Sequence, residues 1–385
     1  MPEILIDVMR LFFRRDEGMI PTGIDRVSLE YIRHYGGSAR AVLSLGPLAG
    51  ALSRRDSQRV FEWLLHPRPG FRPTAVRLAL KNTASGWIRP GTGNSILFNT
   101  AQLWKNTRHY AAQLRWLGAR PVFFVHDLIP LSHPEYFRPA HGEGFEKHMR
   151  NMLGMACGIV ANSRFTGAGL RAHAAAIGLR CPPTVVAPLA PALSEGPALA
   201  DAAASEPYFV ALGTIEPRKN YLLLLHIWRD LIAKQGRGVP RLYVVGQRGW
   251  ECENVVDLLE RCAPLKGLVV ERNDCGDAEL SGLLRHARAL LLPTFAEGFG
   301  LPVAEALAAG VPVIASDLPV FREFAGDVPE YADPIDGRRW RELILEYAKP
   351  DSALCAAQLE RLKGFRPATW EEHFRIVDRF LESLP

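Results

Sequence analysis

Short apolar runs, separated by longer segments of mixed polarity, recur along the whole chain. Runs of this length that are apolar on both faces are typical of parallel strands covered by helices on each side of a sheet. The pattern therefore predicts an α/β protein with two sets of parallel strands. The first set comprises Glu3–Val8, Ala41–Leu45, Ser95–Phe98, Pro121–Val125, Gly158–Ala161 and Thr184–Ala187. The second set comprises Tyr208–Leu212, Arg241–Val245, Gly267–Val270, Ala289–Leu292 and Pro312–Ala315.

A segment rich in Pro, Ala and Ser separates the two sets of strands. We interpret residues 191–206 as an inter-domain linker, residues 1–190 as a first Rossmann-like domain and residues 207–365 as a second. Within 366–385, Phe374, Val377 and Leu381 recur near helical spacing, so a packed terminal helix is expected. A length of 385 residues agrees with this division, since domains average roughly 150 residues.

Composition narrows the class of protein further. The chain is 48% hydrophobic and 23% charged, which are ordinary values for a globular protein. No apolar run approaches the roughly 18 residues that cross a bilayer, and the N-terminus is interpreted as a first strand rather than a signal peptide. Six cysteines without a C-x-x-C pair favour a reducing, cytoplasmic compartment.

Charge is distributed unevenly between the two halves. Residues 1–195 hold 24 Lys and Arg against 13 Asp and Glu, whereas residues 196–385 hold 22 against 28. Within the basic half, Ser53–Pro90 has eight basic and two acidic residues with apolar residues interleaved. This mixture predicts either an amphipathic element on an anionic membrane surface or a solvated helix with an ordinary buried face. No recognised nucleic-acid module occurs, so nucleic acid is not an expected partner.

Several common catalytic motifs are missing from the sequence. There is no G-x-G-x-x-G after a strand, which disfavours a dinucleotide-dependent dehydrogenase. There is also no G-x-x-x-x-G-K-[ST], H-E-x-x-H or G-x-S-x-G. Neither D-x-D nor a zinc-type spacing of His and Cys is present, so no metal site is expected.

The segment 289–310 predicts a strand, a glycine-rich loop and a helix. The strand is Ala289–Leu292, the loop is Thr294–Leu301, Pro302 fits the first helical position and Gly310 fits the helix stop. The backbone amides at such a helix start form an anion site, strengthened by the helix dipole.

Two carboxylates flank that helix start. Glu297 lies in the loop and Glu305 lies about one turn into the helix, where a carboxylate can accept paired hydroxyl hydrogen bonds from a sugar or ribose. Chance predicts one or two pairs with this spacing, and three occur, so the spacing alone carries no weight. A helix acid that interacts only with the dipole is the alternative for Glu305.

At this point the sequence resembles a known family. The segment EGFGLPVAEALAAGVPVIAS, residues 297–316, is similar to the C-terminal signature of retaining family-4 glycosyltransferases, and the variants here look bacterial and mannosyltransferase-like. The resemblance implies the GT-B fold, in which two Rossmann-like domains face across a cleft and a C-terminal helix packs back. Other matching segments are PTGIDRV (21–27), FVHDLIPL (124–131), HPEYF (133–137), ANSRFT (161–166), LGTIEPRKN (212–220), VVGQRGW (244–250) and FREFAGD (321–327).

The resemblance implies roles for residues of the second half. Lys219 and Arg218 would bind the donor diphosphate and stabilise its leaving charge. Glu297 would face the transferred sugar, and Glu305 would bind the nucleotide ribose. The chain departs from many members at Gly213–Thr214, where they carry Gly-Arg. The loop amides expected to reach sugar hydroxyls and phosphate belong to Gly298, Phe299, Gly300 and Leu301.

In the first half, the resemblance implies that Gly23 lets the backbone approach the diphosphate; a helix-start glycine is the alternative. His126 would contact the donor sugar, against the alternative of a satisfied structural histidine. Asp127 would orient His126 or an acceptor hydroxyl, or cap a turn. Arg248 and Trp250 are expected to be structural or near the nucleotide. The predicted catalytic set is therefore His126, Glu297 and Lys219.

Together these implications predict a retaining hexosyltransferase that acts by front-face attack, without a metal or cofactor. The donor that fits the resemblance best is GDP-mannose, and the acceptor is a hydroxyl of a lipid-linked or polysaccharide glycan. The expected location is the cytoplasmic face of the inner membrane. A transferase that uses UDP-sugars, a sugar-nucleotide epimerase and a two-domain binding protein remain alternatives.

Overall fold

The computed structural model describes residues 2–45, 48–66, 95–101, 107–192 and 207–384. The chain forms two compact units. The first comprises Met1–Ser132, Pro139–Leu189 and Trp370–Pro385, and the second comprises His133–Arg138 and Ala190–Thr369. A six-residue segment from the predicted first domain thus belongs to the second unit. Residues 193–206 of the predicted linker and residues 67–90 of the basic segment lie outside the described residues.

The first unit contains a seven-stranded sheet in the order β3-β2-β1-β4-β5-β6-β7. All neighbouring strands are parallel except β2 and β3, which are antiparallel. The strands are β1 (Glu3–Asp7), β2 (Arg40–Leu45), β3 (Leu48–Ala51), β4 (Ser95–Asn99), β5 (Ala119–Val125), β6 (Gly158–Ala161) and β7 (Thr184–Val186).

Helices of the first unit connect these strands or flank the sheet. They are α1 (Met9–Asp16), α2 (Gly23–Tyr35), α3 (Arg54–Leu65), α4 (Thr107–Leu117), α5 (Ile129–Ser132), α6 (Pro139–Met155) and α7 (Arg164–Ala176). Helix α2 begins at Gly23, with Thr22 as its N-cap residue. The backbone N–H of Thr22 donates to Asp25 Oδ2 at 2.8 Å, which satisfies a donor at the helix start.

The second unit contains a six-stranded, wholly parallel sheet in the order β10-β9-β8-β11-β12-β13. Numbered within the unit this is 3-2-1-4-5-6, the strand order of a doubly wound Rossmann sheet. The strands are β8 (Tyr208–Leu212), β9 (Arg241–Val245), β10 (Val269–Arg272), β11 (Ala289–Leu292), β12 (Val313–Ser316) and β13 (Glu330–Ala332). The accompanying helices are α8 (Tyr221–Gln235), α9 (Glu253–Arg261), α10 (Asp277–Arg285), α11 (Leu301–Ala308), α12 (Pro319–Ala325), α13 (Gly337–Ala348) and α14 (Ala353–Lys363).

Every strand that the apolar pattern predicts is present, with ends that differ by at most two residues. The prediction of two parallel α/β sheets is therefore confirmed. The pattern missed β3 and β13, because each is short and ends a sheet. β13 pairs only with β12, and β3 only with β2 among the described residues.

The last helix, α15 (Trp370–Ser383), returns to the first unit, which confirms the predicted terminal helix. Phe374 is 3% exposed and packs edge-on against Tyr31, with 5.1 Å between ring centroids. His373 is also buried there. Its Nδ1 donates to the carbonyl of Pro188 at 3.0 Å, so Nε2 accepts from the Tyr31 hydroxyl at 3.1 Å. The helix is therefore fixed by both apolar packing and a buried polar contact.

Helix α3 carries the described part of the basic segment, and its apolar residues face inward. Val60, Phe61, Trp63 and Leu64 are all at most 7% exposed, so they are core residues of the first unit. Of the two alternatives that the sequence left open, the burial of these apolar residues fits the solvated helix with an ordinary buried face. The basic residues Arg54, Arg55 and Arg59 form the exposed face of the helix, which is the pattern of a solvated helix with a buried stripe.

Candidate functional site

The candidate site of the second unit lies at the topological switch point of its sheet. Strands β8 and β11 are hydrogen-bonded neighbours in the sheet. The strand that follows β8 in the chain, β9, lies on one side of this pair, and the strand that follows β11, β12, lies on the other. In doubly wound sheets, ligands bind outside the carboxyl ends of the strands at this point. The loop 213–220 follows β8 and the loop 293–300 follows β11, so the two predicted binding segments meet there.

Hydrogen bonds join these two loops directly. The carbonyl of Arg218 accepts from the backbone N–H of Phe295 at 2.8 Å and from the Thr294 hydroxyl at 3.0 Å. In return, Arg218 Nη1 donates to the carbonyl of Ala296 at 2.7 Å. The arginine therefore serves as a bridge that sets the position of the glycine-rich loop.

Two cations and two carboxylates meet at this junction, and all but the half-buried Arg218 are buried. Lys219 Nζ lies 2.5 Å from Glu297 Oε1, and Arg218 Nη1 lies 3.0 Å from Glu297 Oε2. Arg218 Nη2 pairs with Glu216 Oε1 at 2.6 Å. Glu216, Lys219 and Glu297 are each at most 8% exposed. The two positive and two negative side chains together carry no net charge, so each buried charge has an opposite charge beside it.

The electrostatics of Glu297 follow from this arrangement. Burial alone would raise the pKa of its carboxyl group, but the charges of Arg218 and Lys219, with their hydrogen bonds, lower that pKa to about 2. Glu297 is therefore ionised at any physiological pH. A carboxylate held in this state can accept hydroxyl hydrogen bonds from a sugar once a ligand reaches it.

Glycines allow the β8 loop to take its path. Gly213 has a φ of +138°, and a Cβ there would lie 3.2 Å from the Lys219 side chain. Gly246, which follows β9, has a φ of +152°, and a Cβ would lie 2.0 Å from the carbonyl oxygen of Gly213. The hydroxyl of Tyr221 donates to that carbonyl at 2.7 Å. Gly213 and Thr214, where the chain departs from the family pattern, therefore lie next to Lys219. Because Gly213 has no side chain, the lysine can pass close to the backbone there.

Gly300 is required by the local structure as well as by its predicted role. It has a φ of +95°, and a Cβ would lie 2.3 Å from the buried ring of Phe321. It immediately precedes α11, which begins at Leu301, one residue before the predicted Pro302. Within the described chain, the backbone N–H groups of Phe299, Gly300 and Leu301 make no hydrogen bond to another residue. Amides at a helix start can bind an anion together with the helix dipole, so the anion site expected here stays a prediction.

Glu305 lies one turn into α11 and is 3% exposed. Of the predicted residues, the structure brings Arg218, Lys219 and Glu297 into direct contact. Gly298 follows Glu297 in the loop, and Glu305 lies in the helix that this loop enters. The predicted helix stop at Gly310 is confirmed, since this residue has a φ of +78° and directly follows the C-cap residue Ala309.

His126 lies in the first unit, directly after β5, and is 6% exposed. Its Nε2 lies 2.7 Å from the carbonyl oxygen of Thr100; a carbonyl only accepts, so Nε2 carries the proton. Burial lowers the pKa of the imidazole to about 4, so His126 is neutral near pH 7. Asn162 Nδ2 donates to the backbone carbonyl of His126 at 2.7 Å and fixes it from the β6 side.

The structure also places three other residues that the sequence singled out, Asp127, Gly23 and Arg248. Asp127 Oδ1 accepts from the backbone N–H of Ile129 at 3.1 Å, one of the contacts that sequence analysis left open for it. Gly23 is the first residue of α2 and is exposed. Arg248 pairs with Glu271 at 2.7 Å and Glu260 at 2.6 Å on the surface, which is a structural role.

Sequence reasoning missed two groups. Glu216 stands inside the quoted motif LGTIEPRKN, yet only the structure shows that it holds Arg218. In the first unit, Arg10 Nε and Arg14 Nε both lie 2.8 Å from the buried carboxylate of Asp25, at the start of α2. The sequence did contain a signal for this group, because two arginines four residues apart on one helix lie on the same face and can contact one carboxylate.

Among residues 2–45, 48–66, 95–101, 107–192 and 207–384, no group of three or more His, Cys, Asp or Glu is arranged to hold a metal ion. Within the same ranges, no helix combines the length and the apolarity needed to cross a bilayer.

Comparison with known proteins adds independent findings. Residues 206–339 match the family model of glycosyl transferases group 1. The chain is 35% identical over 164 residues to O-antigen chain mannosyltransferase B of Escherichia coli, covering 43% of this chain and 42% of that protein. It is 27% identical over 312 residues to the serotype-specific mannosyltransferase WbdA of Escherichia coli, covering 74% and 36%. The chain therefore spans less than half the length of these curated relatives.

Among solved structures, Anabaena HepE in complex with UDP and glucose has a TM-score of 0.66 with this chain. It is 17% identical and covers 100% of both chains. At this identity the similarity concerns the fold, and it confirms the predicted GT-B class with two Rossmann-like domains.

Proposed function

We propose that this protein is a glycosyltransferase that moves a hexose from a nucleoside diphosphate sugar to a hydroxyl group of a glycan. The observation that carries the proposal is the ion-paired cluster of Lys219, Arg218 and Glu297 beside the α11 amides. This cluster lies in the part of the chain that matches glycosyl transferases group 1. Cations and helix amides bind a diphosphate, and a neighbouring carboxylate binds sugar hydroxyls.

In the proposed reaction, the bond between the anomeric carbon and the β-phosphate oxygen breaks, and the acceptor oxygen forms the new bond. Negative charge grows on the leaving diphosphate, and Lys219, Arg218 and the loop amides stabilise it. A leaving phosphate oxygen takes the acceptor proton, so attack on the front face retains the anomeric configuration. No metal is required where two cations fill this role, and activity is expected to survive an excess of chelator.

Binding of the donor must rearrange the charges of the site. Glu216 and Glu297 already balance Arg218 and Lys219, so a diphosphate competes with Glu297 for the same cations. Released from Lys219, the Glu297 carboxylate becomes available to the hydroxyl groups of the sugar. The family resemblance supports a ribose contact for Glu305, a diphosphate contact for Gly23 and a sugar contact for His126.

The donor that we propose is GDP-mannose. Support comes from the motif variants and from two relatives whose names describe mannosyltransferases of the O-antigen or of a serotype. The acceptor would then be a lipid-linked or polysaccharide glycan of lipopolysaccharide biosynthesis. A panel of GDP, UDP, ADP and dTDP, each with its sugars, tests this by thermal shift, since a ligand of the native state raises the melting temperature.

GDP and GDP-mannose are expected to give the largest stabilisation. A larger effect of UDP and its sugars would change the donor but keep the reaction, and no stabilisation by any of them would contradict the proposal. Donor consumed at the full rate without a glycan acceptor would indicate an epimerase or hydrolase instead. Binding without turnover on any acceptor would indicate a binding protein.

We also propose that the protein is cytoplasmic and docks on an anionic membrane surface through the basic face of α3. Arg54, Arg55 and Arg59 are exposed, and such cations are attracted to anionic lipids. Because the apolar side of α3 is buried, this docking would be electrostatic and sensitive to salt. Flotation with anionic liposomes at low salt should recover the protein, whereas equal flotation with neutral liposomes would contradict the proposal.

A further inference from the structure

The segment 133–138 (HPEYFR) has contacts that the proposed reaction does not explain. It contains a short 3₁₀ turn, Pro134–Tyr136, and it belongs to the second unit although the flanking chain belongs to the first. A segment that leaves its own unit needs specific contacts to hold it, because its neighbours in sequence do not.

Aromatic contacts supply that hold. The ring of Tyr136 stacks on Phe295, with centroids 5.6 Å apart and planes 11° apart. The indole N–H of Trp250 donates to the carbonyl of Tyr136 at 3.0 Å, and the Trp250 ring stacks with Phe137 at 5.8 Å. The ring of His133 also stacks with that of Tyr136, with 5.9 Å between their centroids.

Phe295 is the residue through which this segment reaches the site. It lies two residues before Glu297, and its backbone N–H donates to the carbonyl of Arg218 at 2.8 Å. The loop is therefore held at the same residue by a backbone hydrogen bond and by a stacked ring. Removing one of the two leaves the loop with a single attachment at that position.

We infer that Tyr136 is a positioning residue for the glycine-rich loop, acting through Phe295 to hold Glu297 and the loop amides in the geometry that binds the donor diphosphate. The inference rests on the proposed function for the identity of the ligand. Its physical basis, an aromatic pair that restrains the loop, is independent of any ligand.

The first test measures the loop in the ligand-free protein. Hydrogen exchange of a peptide covering residues 294–301 should rise severalfold in Tyr136→Ala, whereas Tyr136→Phe retains the ring and should match the parent. Ile335→Ala, which truncates a side chain 77% exposed in the same unit, is the matched control and should also match the parent. Unchanged exchange of this peptide in Tyr136→Ala would overturn the inference.

The second test measures binding of GDP and UDP by calorimetry. Tyr136→Ala should weaken the Kd for the nucleotide that binds by roughly three- to tenfold, the effect typical of a lost aromatic pair, and Tyr136→Phe should restore it. If Tyr136 acts through Phe295, the double variant with Phe295→Ala should bind no worse than the weaker single variant. Additive losses would overturn the pathway through Phe295.

The two tests separate this inference from the proposed function. If the parent protein binds neither nucleotide, the proposed function fails and the exchange experiment still decides whether Tyr136 restrains the loop. If the parent binds a nucleotide and Tyr136→Ala changes neither exchange nor Kd, the proposed function stands and the positioning role is rejected.

Discussion

At the scale of the residue, the site is defined by charged side chains that pair with one another. Lys219 and Glu297 are both at most 8% exposed and lie 2.5 Å apart. A buried ion pair of this kind contributes little net stability, since desolvation offsets the attraction, but it fixes the geometry of both groups. Lys219 is thus held ready at the loop, at the cost of a competing carboxylate.

Lys219→Ala tests the central residue. We expect kcat/KM to fall by on the order of 10²- to 10³-fold, since a preorganised charge on the leaving group is lost. Release of nucleoside diphosphate in the presence of acceptor measures the effect. Lys234→Ala is the control, because Lys234 is an exposed lysine of the same unit that pairs only with Asp230 on its own helix among the described residues. A parental kcat/KM in Lys219→Ala would contradict the role of the lysine.

At the scale of the element, the turn from β11 into α11 combines a ligand-binding surface with a tight packing contact. Phe321 packs behind Gly300 on one side, and Phe299 stacks on Phe324 with 4.8 Å between centroids. The loop is therefore packed against two aromatic side chains of α12. The same glycine satisfies the left-handed backbone and the close approach of the ring.

Gly300→Ala separates these two requirements when it is compared with Gly310→Ala. Both glycines have a positive φ, but a Cβ at Gly310 would meet nothing within 4 Å, whereas one at Gly300 would lie 2.3 Å from Phe321. Gly310→Ala should cost about 1 to 2 kcal/mol of unfolding free energy from backbone strain alone. Gly300→Ala should cost distinctly more and weaken nucleotide binding. Equal destabilisation in chemical denaturation would contradict the steric contribution of Phe321.

At the scale of the whole molecule, buried and half-buried histidines that are neutral link the stability of the protein to pH. Burial lowers the pKa of His126, His148 and His373 to about 4 in each case. The unfolded chain binds these protons at its ordinary pKa near 6.5. As pH falls from about 6.5 toward 4, the histidines become protonated in the unfolded state but stay neutral in the folded state. The free energy of unfolding therefore decreases over this range, and the contribution of the neutral histidines is complete only above it.

The expected loss between pH 6.5 and pH 5.5 is about 1 kcal/mol for each such histidine. His373→Gln removes one of them, and this histidine joins α15 to Tyr31 and Pro188. Although the variant should be less stable at pH 7, its deficit relative to the parent should shrink by about 1 kcal/mol at pH 5.5. Urea denaturation at the two pH values measures this difference, and a deficit independent of pH would contradict the prediction.

Sequence alone determined the elements and pointed to the residues that line the candidate site. Apolar runs gave the parallel strands, since burial on both faces leaves a local signal, and local turn chemistry located the glycine-rich loop with Glu297. The family motifs singled out Arg218 and Lys219. A periodic pattern carries such information because it depends only on neighbouring residues.

Tertiary structure alone decided which of these residues meet. Strands β8 and β11 are neighbours only because the sheet order reverses between them, and no local pattern records that order. It also decided that the apolar side of α3 is core, and that Tyr136 joins the second unit through Phe295. Each of these outcomes depends on contacts between residues far apart in the chain, whose free energy is fixed only when both partners are in place.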